Sequence, residues 1–279
     1  MKKIIAAVLC LVLVLACVGM TSCKSAAEKQ SVDAIKKAGV LTMYTNAEFP
    51  PFEYMKGTEV KGVDVDIAQA IADKLGVELE IKNVKFDTII GSIQSGKGSI
   101  GAAGITVTEE RKESVDFSIE YTTSKQYIIV PTDSTVAKIE DLAGMKIGVQ
   151  LGTTGDFIIT DEINGYESDG EQQKGVLQDT GASVVTYNSA ADAAIALNSG
   201  KIGAVVIDKL PAEIVAGNYD NLKAIELVYA DGSNTEESYA ICVAKGNESL
   251  LKVINEVIEE LKASGKIDEF IITHTGAAS

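Results

Sequence analysis

Arg111 sits in GITVTEERKESVDFS, residues 104–118, just past the Gly-containing end of an apolar stretch, in a chain whose formal net charge is −15. An acidic protein does not draw in anions through its overall field. An arginine placed one short helical turn beyond a strand end therefore points to a small anionic group gripped at close range. The planar guanidinium suits that task because it donates two parallel charge-assisted hydrogen bonds. The competing reading is a solvated helix in which Arg111 pairs with Glu109 or Glu110. Asp208 closes the apolar run IGAVVID. An acid there lies where α/β proteins collect ligands, or it caps the helix starting near Lys209 and Pro211. Thr154, in GTTGD, opens a helix whose free N–H groups and dipole favour an anion.

Other chemistry is sparse. His274 is the only histidine; it lies in the tail, where a solvated surface position is expected. A Ser-His-Asp or Cys-His nucleophilic site would depend on it. The sequence holds no cluster with metal-ligand spacing, so neither a metal nor a cofactor is expected. Cys242 stands alone in the alternating stretch SYAICVAKG and reads as a buried, inert thiol. The scattered basic residues and the negative balance exclude nucleic acid as a partner.

The positioning elements begin after a leader. Lys2 and Lys3 precede an apolar run, Ile4 to Val18, of signal-peptide length and shorter than the roughly 20 residues of a membrane span. Residues 1–22 are expected to be a signal peptide. MTSC, ending at Cys23, resembles a bacterial lipobox, so Cys23 is the expected lipidation site, with VLAC at Cys17 as the competing one. Residues 23–30 then form a lipidated N-terminus and tether, in an extracytoplasmic protein anchored to the membrane. Beyond them, 46% hydrophobic and 23% charged residues across 279 positions describe a globular chain long enough for two lobes.

Strands and helices alternate from residue 31. VDVDIAQAIADKLG carries apolar residues at 63, 67, 71 and 75 before Gly76, which predicts a helix with a glycine stop. FDTIIGSIQSGKG reads as another helix and SIGAAGITV as a buried strand. The grammar restarts with MKIGVQ, and QSGKGSIGAAG at 94–104 parallels NSGKIGAVVID at 198–208. Such alternation predicts parallel sheets covered by helices. SKQYIIVPTD and ESYAICVAKG read as two extended crossings between lobes, a hinge. The helix after the second crossing should pack on the first lobe.

GVDVDIAQAIADKLG resembles the signature helix of the family 3 extracellular solute-binding proteins, the polar-amino-acid receptors of ABC importers. Val63 stands where that pattern carries an aromatic or larger aliphatic residue. NAEFPPFEY, GITVTEERKESVDFS, GTTGD and AVVID follow in the family's order and spacing, so the resemblance covers the whole mature domain. It implies an α/β, periplasmic-binding-protein-like fold of type II topology, two α/β lobes joined by a two-strand hinge. Lobe 1 would comprise 31–126 and 239–279, and lobe 2 would comprise 127–238.

The resemblance also implies the site. Arg111, the Thr106 main-chain N–H and Thr154 would take the ligand carboxylate. Asp208, the Gly104 carbonyl and the Thr106 hydroxyl would take its ammonium. Phe49 and Phe86 would wall the side-chain pocket, Gln150 would face it from the second lobe, and Glu48 and Asn46 would read its tip. Aromatic walls beside an acid favour a polar or basic L-amino acid. Ligand contacts divided between lobes shift the population toward a closed state, which a permease and ATPase complex can recognise. The expected protein is a receptor, not an enzyme. The alternatives are a sensory or adhesin-like binding lipoprotein and, on the same fold, a dehydratase-type enzyme.

Overall fold

The computed structural model describes residues 24–168, 170–229 and 231–278; the expected leader and Cys23 lie outside them. Among the described residues no helix is long and apolar enough to cross a membrane. Two sheets organise the chain. The first runs Glu78–Asn83, Val40–Thr45, Ile100–Gly101, Cys242–Ala244, Val115–Phe117. The second runs Ser183–Tyr187, Lys146–Gln150, Ala204–Asp208, Thr122–Pro131, Leu222–Glu226, with Glu236–Tyr239 added alongside Thr122–Pro131. Thr122–Pro131 and the stretch from Glu236 to Ala244 are the two crossings, so the first sheet is built from discontinuous chain and the second from one continuous stretch.

The expectation of purely parallel sheets is corrected. In each sheet three strands are parallel, whereas the crossing strands enter antiparallel to their neighbours. The reason is directional: a segment returning from the other lobe approaches from the end at which the parallel strands finish. The parallel strands Val40–Thr45, Ile100–Gly101, Lys146–Gln150 and Ala204–Asp208 all direct their C-terminal ends toward the seam between lobes, where α/β sheets bind ligands.

The Val63–Leu75 helix follows its predicted stripe, burying Val63, Ile67, Ile71 and Leu75 and stopping at Gly76 with φ 71°. Gly62 precedes it at φ 141°, where a Cβ would lie 2.0 Å from the Phe52 carbonyl oxygen, a clash that only glycine avoids. Glu248–Ala263 presents Leu250, Ile254, Val257 and Ile258 and packs on Val63–Leu75 in the first lobe. Two expected elements are shorter than their patterns. FDTIIGSIQSGKG begins as a 3-10 turn, Phe86–Thr88, before the helix Ile89–Gln94. SIGAAGITV keeps only Ile100–Gly101 as ladder, because the chain turns at Gly104, φ 53°.

The two ends of the described chain also differ from expectation. Ala26–Lys29 forms one helical turn with a Ser25–Glu28 capping box. Gln30 then docks: its amide donates to the Gly96 carbonyl at 2.9 Å and accepts from the Ser99 hydroxyl at 2.7 Å. His274, expected as a solvated residue, is buried in the Lys266–Ala278 helix. Its ring is held between the Tyr54 hydroxyl at 3.1 Å and Asp66 Oδ2 at 2.9 Å, fastening that helix to Val63–Leu75.

Ile254 is fully buried between the two long helices of lobe 1. Ile254→Ala should lower the unfolding free energy by about 2–5 kcal/mol, read from urea denaturation. A change below about 0.5 kcal/mol would contradict this packing.

Candidate functional site

The strand ends supply the polar groups and the loops after them supply the aromatic rings. Phe49, Phe86, Gly104, Thr106, Arg111, Gln150, Thr153, Thr154 and Asp208 line a cavity of only about 10 Å³ at the seam between lobes. Ligand pockets commonly span roughly 300–1,000 Å³, so the lobes are drawn together and must part to admit a molecule of amino-acid size.

Arg111 is carried by the Glu109–Ser114 helix, whose N-cap Thr108 accepts from the Arg111 main-chain N–H at 3.1 Å. Its side chain turns inward and is buried. The guanidinium donates to the Thr106 carbonyl at 2.8 Å and, across the seam, to the Gly152 carbonyl at 3.0 Å. Phe86 lies 5.5 Å and Phe157 6.0 Å from it, both within cation–π range. Pairing with Glu109, the competing reading, does not occur: Glu109 takes Lys112 at 2.8 Å. Among the described residues no salt bridge to Arg111 is formed. Burial holds the guanidinium below its ordinary value, against the opposing charges of Glu237 and Asp208.

Asp208 stands at the N-cap position of Lys209–Gly217 but makes no capping hydrogen bond there. Its carboxyl is buried and accepts from the Tyr239 hydroxyl at 2.5 Å. Thr106, joined to Tyr239 by an isolated bridge, accepts from the Thr154 hydroxyl at 2.9 Å. Thr154 is the first residue of Thr154–Asn164, and Thr153 is its N-cap. Gln150 donates to Asn46 Oδ1 across the seam at 2.9 Å, and its own Oε1 is left without a partner. Asn46 in turn donates to the Val84 carbonyl at 2.8 Å.

Of the residues expected at the tip, Asn46 is buried and bonded to Gln150, and neither it nor Glu48 lines the cavity. Glu48 is exposed on the short strand Glu48–Phe49. Its carboxyl is raised by partial burial and by the charge of Asp192 on the facing lobe. Phe49 is buried, 5.9 Å from Phe52 and 6.5 Å from Tyr239. Phe52 packs beneath it, edge-on to Tyr239 at 5.0 Å. Gly104 has φ 53°, and a Cβ there would meet Phe49 Cε1 at 2.6 Å, so glycine lets the ring close over the backbone.

Several residues that single-sequence reading misses share this region. Glu237 accepts from the Thr106 hydroxyl at 2.5 Å and from the Gln126 amide at 2.6 Å. Asp64 is fully buried and accepts from the Gly104 N–H at 2.8 Å and the Tyr121 hydroxyl at 2.7 Å, which fixes the backbone of the cleft. The available signal for Glu237 was strand alternation: it lies two residues before Tyr239, on the same face. Cys242 is buried as expected, and burial pushes its thiol up to about 12.

Buried acids dominate the electrostatics behind the cleft. Burial raises the Asp64 carboxyl to about 6. Burial and then the charge of Asp64 raise Glu53 well above its ordinary range; burial and then Glu237 do the same for Asp208. The folded protein thus retains protons that the unfolded chain releases near pH 4. The stability this contributes is complete below about pH 4 and is lost as pH rises, through about 6 for Asp64. Urea unfolding should show greater stability at about pH 5 than at about pH 7.5, by on the order of 1–3 kcal/mol. Asp64→Asn should flatten part of that difference; equal stability at both pH values would count against the assignment.

Known proteins match this chain in sequence and architecture. Residues 41–277 fit the family described as bacterial extracellular solute-binding proteins, family 3. The arginine-binding extracellular protein ArtP of Bacillus subtilis (strain 168) is 30% identical over 261 residues, 93% of this chain and 94% of the relative. The probable histidine-binding protein of Neisseria gonorrhoeae is 30% identical over 276 residues, 96% of this chain and 94% of that one. Among solved structures, the Streptococcus pneumoniae substrate-binding protein AbpA bound to L-arginine superposes with a TM-score of 0.78 at 30% identity, covering 88% of this chain and 98% of that one. The chain belongs to the bacterial extracellular solute-binding proteins, family 3.

Proposed function

We propose that the chain is an extracytoplasmic receptor of an ABC importer that encloses a polar or basic L-amino acid between its lobes and delivers it to a permease and ATPase complex. The observation that carries this reading is the pairing of opposite, buried ends: Arg111 without a carboxylate partner on one lobe and Asp208 on the other. A zwitterion fits between them. Its carboxylate would replace the carbonyl partners of Arg111, helped by Thr106 and by Thr154 at the helix N-terminus. Its ammonium would reach Asp208, Thr106 and the Gly104 carbonyl. Lobe 1 would be formed by 31–126 with 239–279, and lobe 2 by 127–238.

A basic side chain has further support. Phe49 and Phe86 line the cavity, and faces of aromatic rings attract cations. Glu48, beside Phe49 in sequence, faces the charge of Asp192, a repulsion that a ligand cation reaching that far would relieve. Asn46 and Gln150 supply polar contacts for the same end. The arginine ligands of ArtP and AbpA, as their names and descriptions give them, make L-arginine the first compound to test. Lipid on Cys23, or on Cys17 if processing occurs earlier, would hold the receptor at the membrane beside its permease.

A thermal-shift panel with L-arginine, L-lysine, L-histidine and L-glutamine tests the ligand class. A ligand at 100 times its dissociation constant should add about 2.7 kcal/mol of stability. Arg111→Ala should weaken that ligand by about 30-fold or more, since stranding a buried charge partner costs roughly 2–5 kcal/mol. Undiminished affinity in calorimetry would overturn the assignment. In cells, Cys23→Ala should move the protein from the membrane to the soluble fraction. Loss of anchoring only with Cys17→Ala would transfer the lipid to that residue.

A further inference from the structure

A second buried carboxylate borders the end of the cleft assigned to the ammonium, and it is carried by the hinge. Glu237 lies on Glu236–Tyr239, which pairs with the other crossing strand through Lys125 and Ser124. Its Oε2 accepts from the Thr106 hydroxyl and its Oε1 from the Gln126 amide. Gln126 is also the ladder partner of Asp208, so the two carboxyls are neighbours. Both are buried. Two adjacent carboxylates removed from water are not both ionised without a cation between them.

The cations facing them are already engaged. Arg111 donates to the Thr106 and Gly152 carbonyls. Lys209, next to Asp208 in sequence, has its ammonium over the Tyr127 ring at 6.0 Å. The remaining ionisable groups acting on Asp208 and its neighbours are acids and phenols: Tyr239, Tyr121, Glu53 and Asp64. Four buried carboxyl groups thus share one buried guanidinium. Thr106 adds a directional argument. Its hydroxyl donates to Glu237 and accepts from Thr154, which leaves a second lone pair free to receive an N–H.

We infer that Asp208 carries a proton when the cleft is empty, and that the ammonium of the incoming amino acid takes that proton's place, with Glu237 as a positioning residue that keeps Asp208 neutral until then and turns the Thr106 lone pair toward the ligand. The inference rests on the amino-acid reading of the cleft. The exchange balances at that end of the cleft: one ammonium enters, one proton leaves the Asp208 carboxyl for the buffer, and the local charge is unchanged, while the ligand carboxylate is answered by Arg111. Burial and then the Glu237 charge act in this direction on Asp208. Binding therefore strengthens as pH rises, toward tenfold per pH unit while Asp208 is protonated in the empty protein, and levels off above that range.

Calorimetry of L-arginine binding to the full-length chain at about pH 6, in buffers of different ionisation enthalpy, counts the proton directly. At that pH the ligand's ammonium and guanidinium are fully protonated and its carboxylate fully ionised, so the free ligand contributes no proton. Release of close to one proton per ligand is expected. Glu237→Gln should reduce that number and move the levelling-off to lower pH. Glu53→Gln, which removes the other strongly raised acid, should leave the number unchanged. Binding with no proton released and with flat affinity between about pH 5 and about pH 7 overturns the inference while leaving the receptor reading intact. Release that survives Glu237→Gln and disappears with Glu53→Gln also overturns it. Failure of every amino acid tried to bind overturns the receptor reading and this inference together.

Discussion

The cleft is organised around a guanidinium that the fold has removed from water and left without a counter-charge. Arg111 reaches the seam because its short helix starts where the chain turns at Gly104. There it borrows carbonyl oxygens from both lobes. Carbonyl dipoles compensate part of the lost hydration but do not neutralise the charge. Hence the surrounding chain must keep the loop after Ile100–Gly101, the helix start at Thr153–Thr154 and the end of Ala204–Asp208 in fixed relation. The two sheets perform that task, because their parallel strands finish at one seam.

The polar contacts named across the cleft are individually weak. Asn46 with Gln150, Arg111 with Gly152 and Thr106 with Thr154 are single hydrogen bonds, each worth about 0.5–1.5 kcal/mol net. An apolar cluster also holds residues of both lobes, among them Ile71 and Ile254 of the first and Ala193 and Val215 of the second. A bound molecule gripped from both sides can shift the balance between open and closed forms by its own differential affinity.

The hinge is part of the cleft as well as its connection. Gln126 and Glu237 occupy the two crossing strands, and Tyr239 stacks near Phe49 and Phe52 while donating to Asp208. Behind them Asp64 anchors Gly104 and Tyr121. Buried carboxyls in this number destabilise a fold unless they bind protons or cations. Glu237 and Arg111 meet on the same residue, the hydroxyl and the carbonyl of Thr106 respectively, so acid and guanidinium are held close on either side of it.

Much of this was legible along the chain. The stripe at 63, 67, 71 and 75 and the glycine stop at Gly76 define a helix by local spacing alone, since propensity, period and cap all act within a few turns. The short helix bearing Arg111, the helix start at Thr154 and the strand end at Asp208 are likewise local features. Sequence order could not decide that Glu237 would meet Thr106, 131 residues away, or that His274 would be pinned by Asp66, 208 residues away. Nor could it decide that the crossing strands run antiparallel to the sheets they join. Those contacts follow from how the chain returns between lobes, a global constraint with no local signature. Local periodicity determined the elements and the chemistry available at their ends; tertiary structure decided which of those ends share a desolvated space, and so which charges must answer one another.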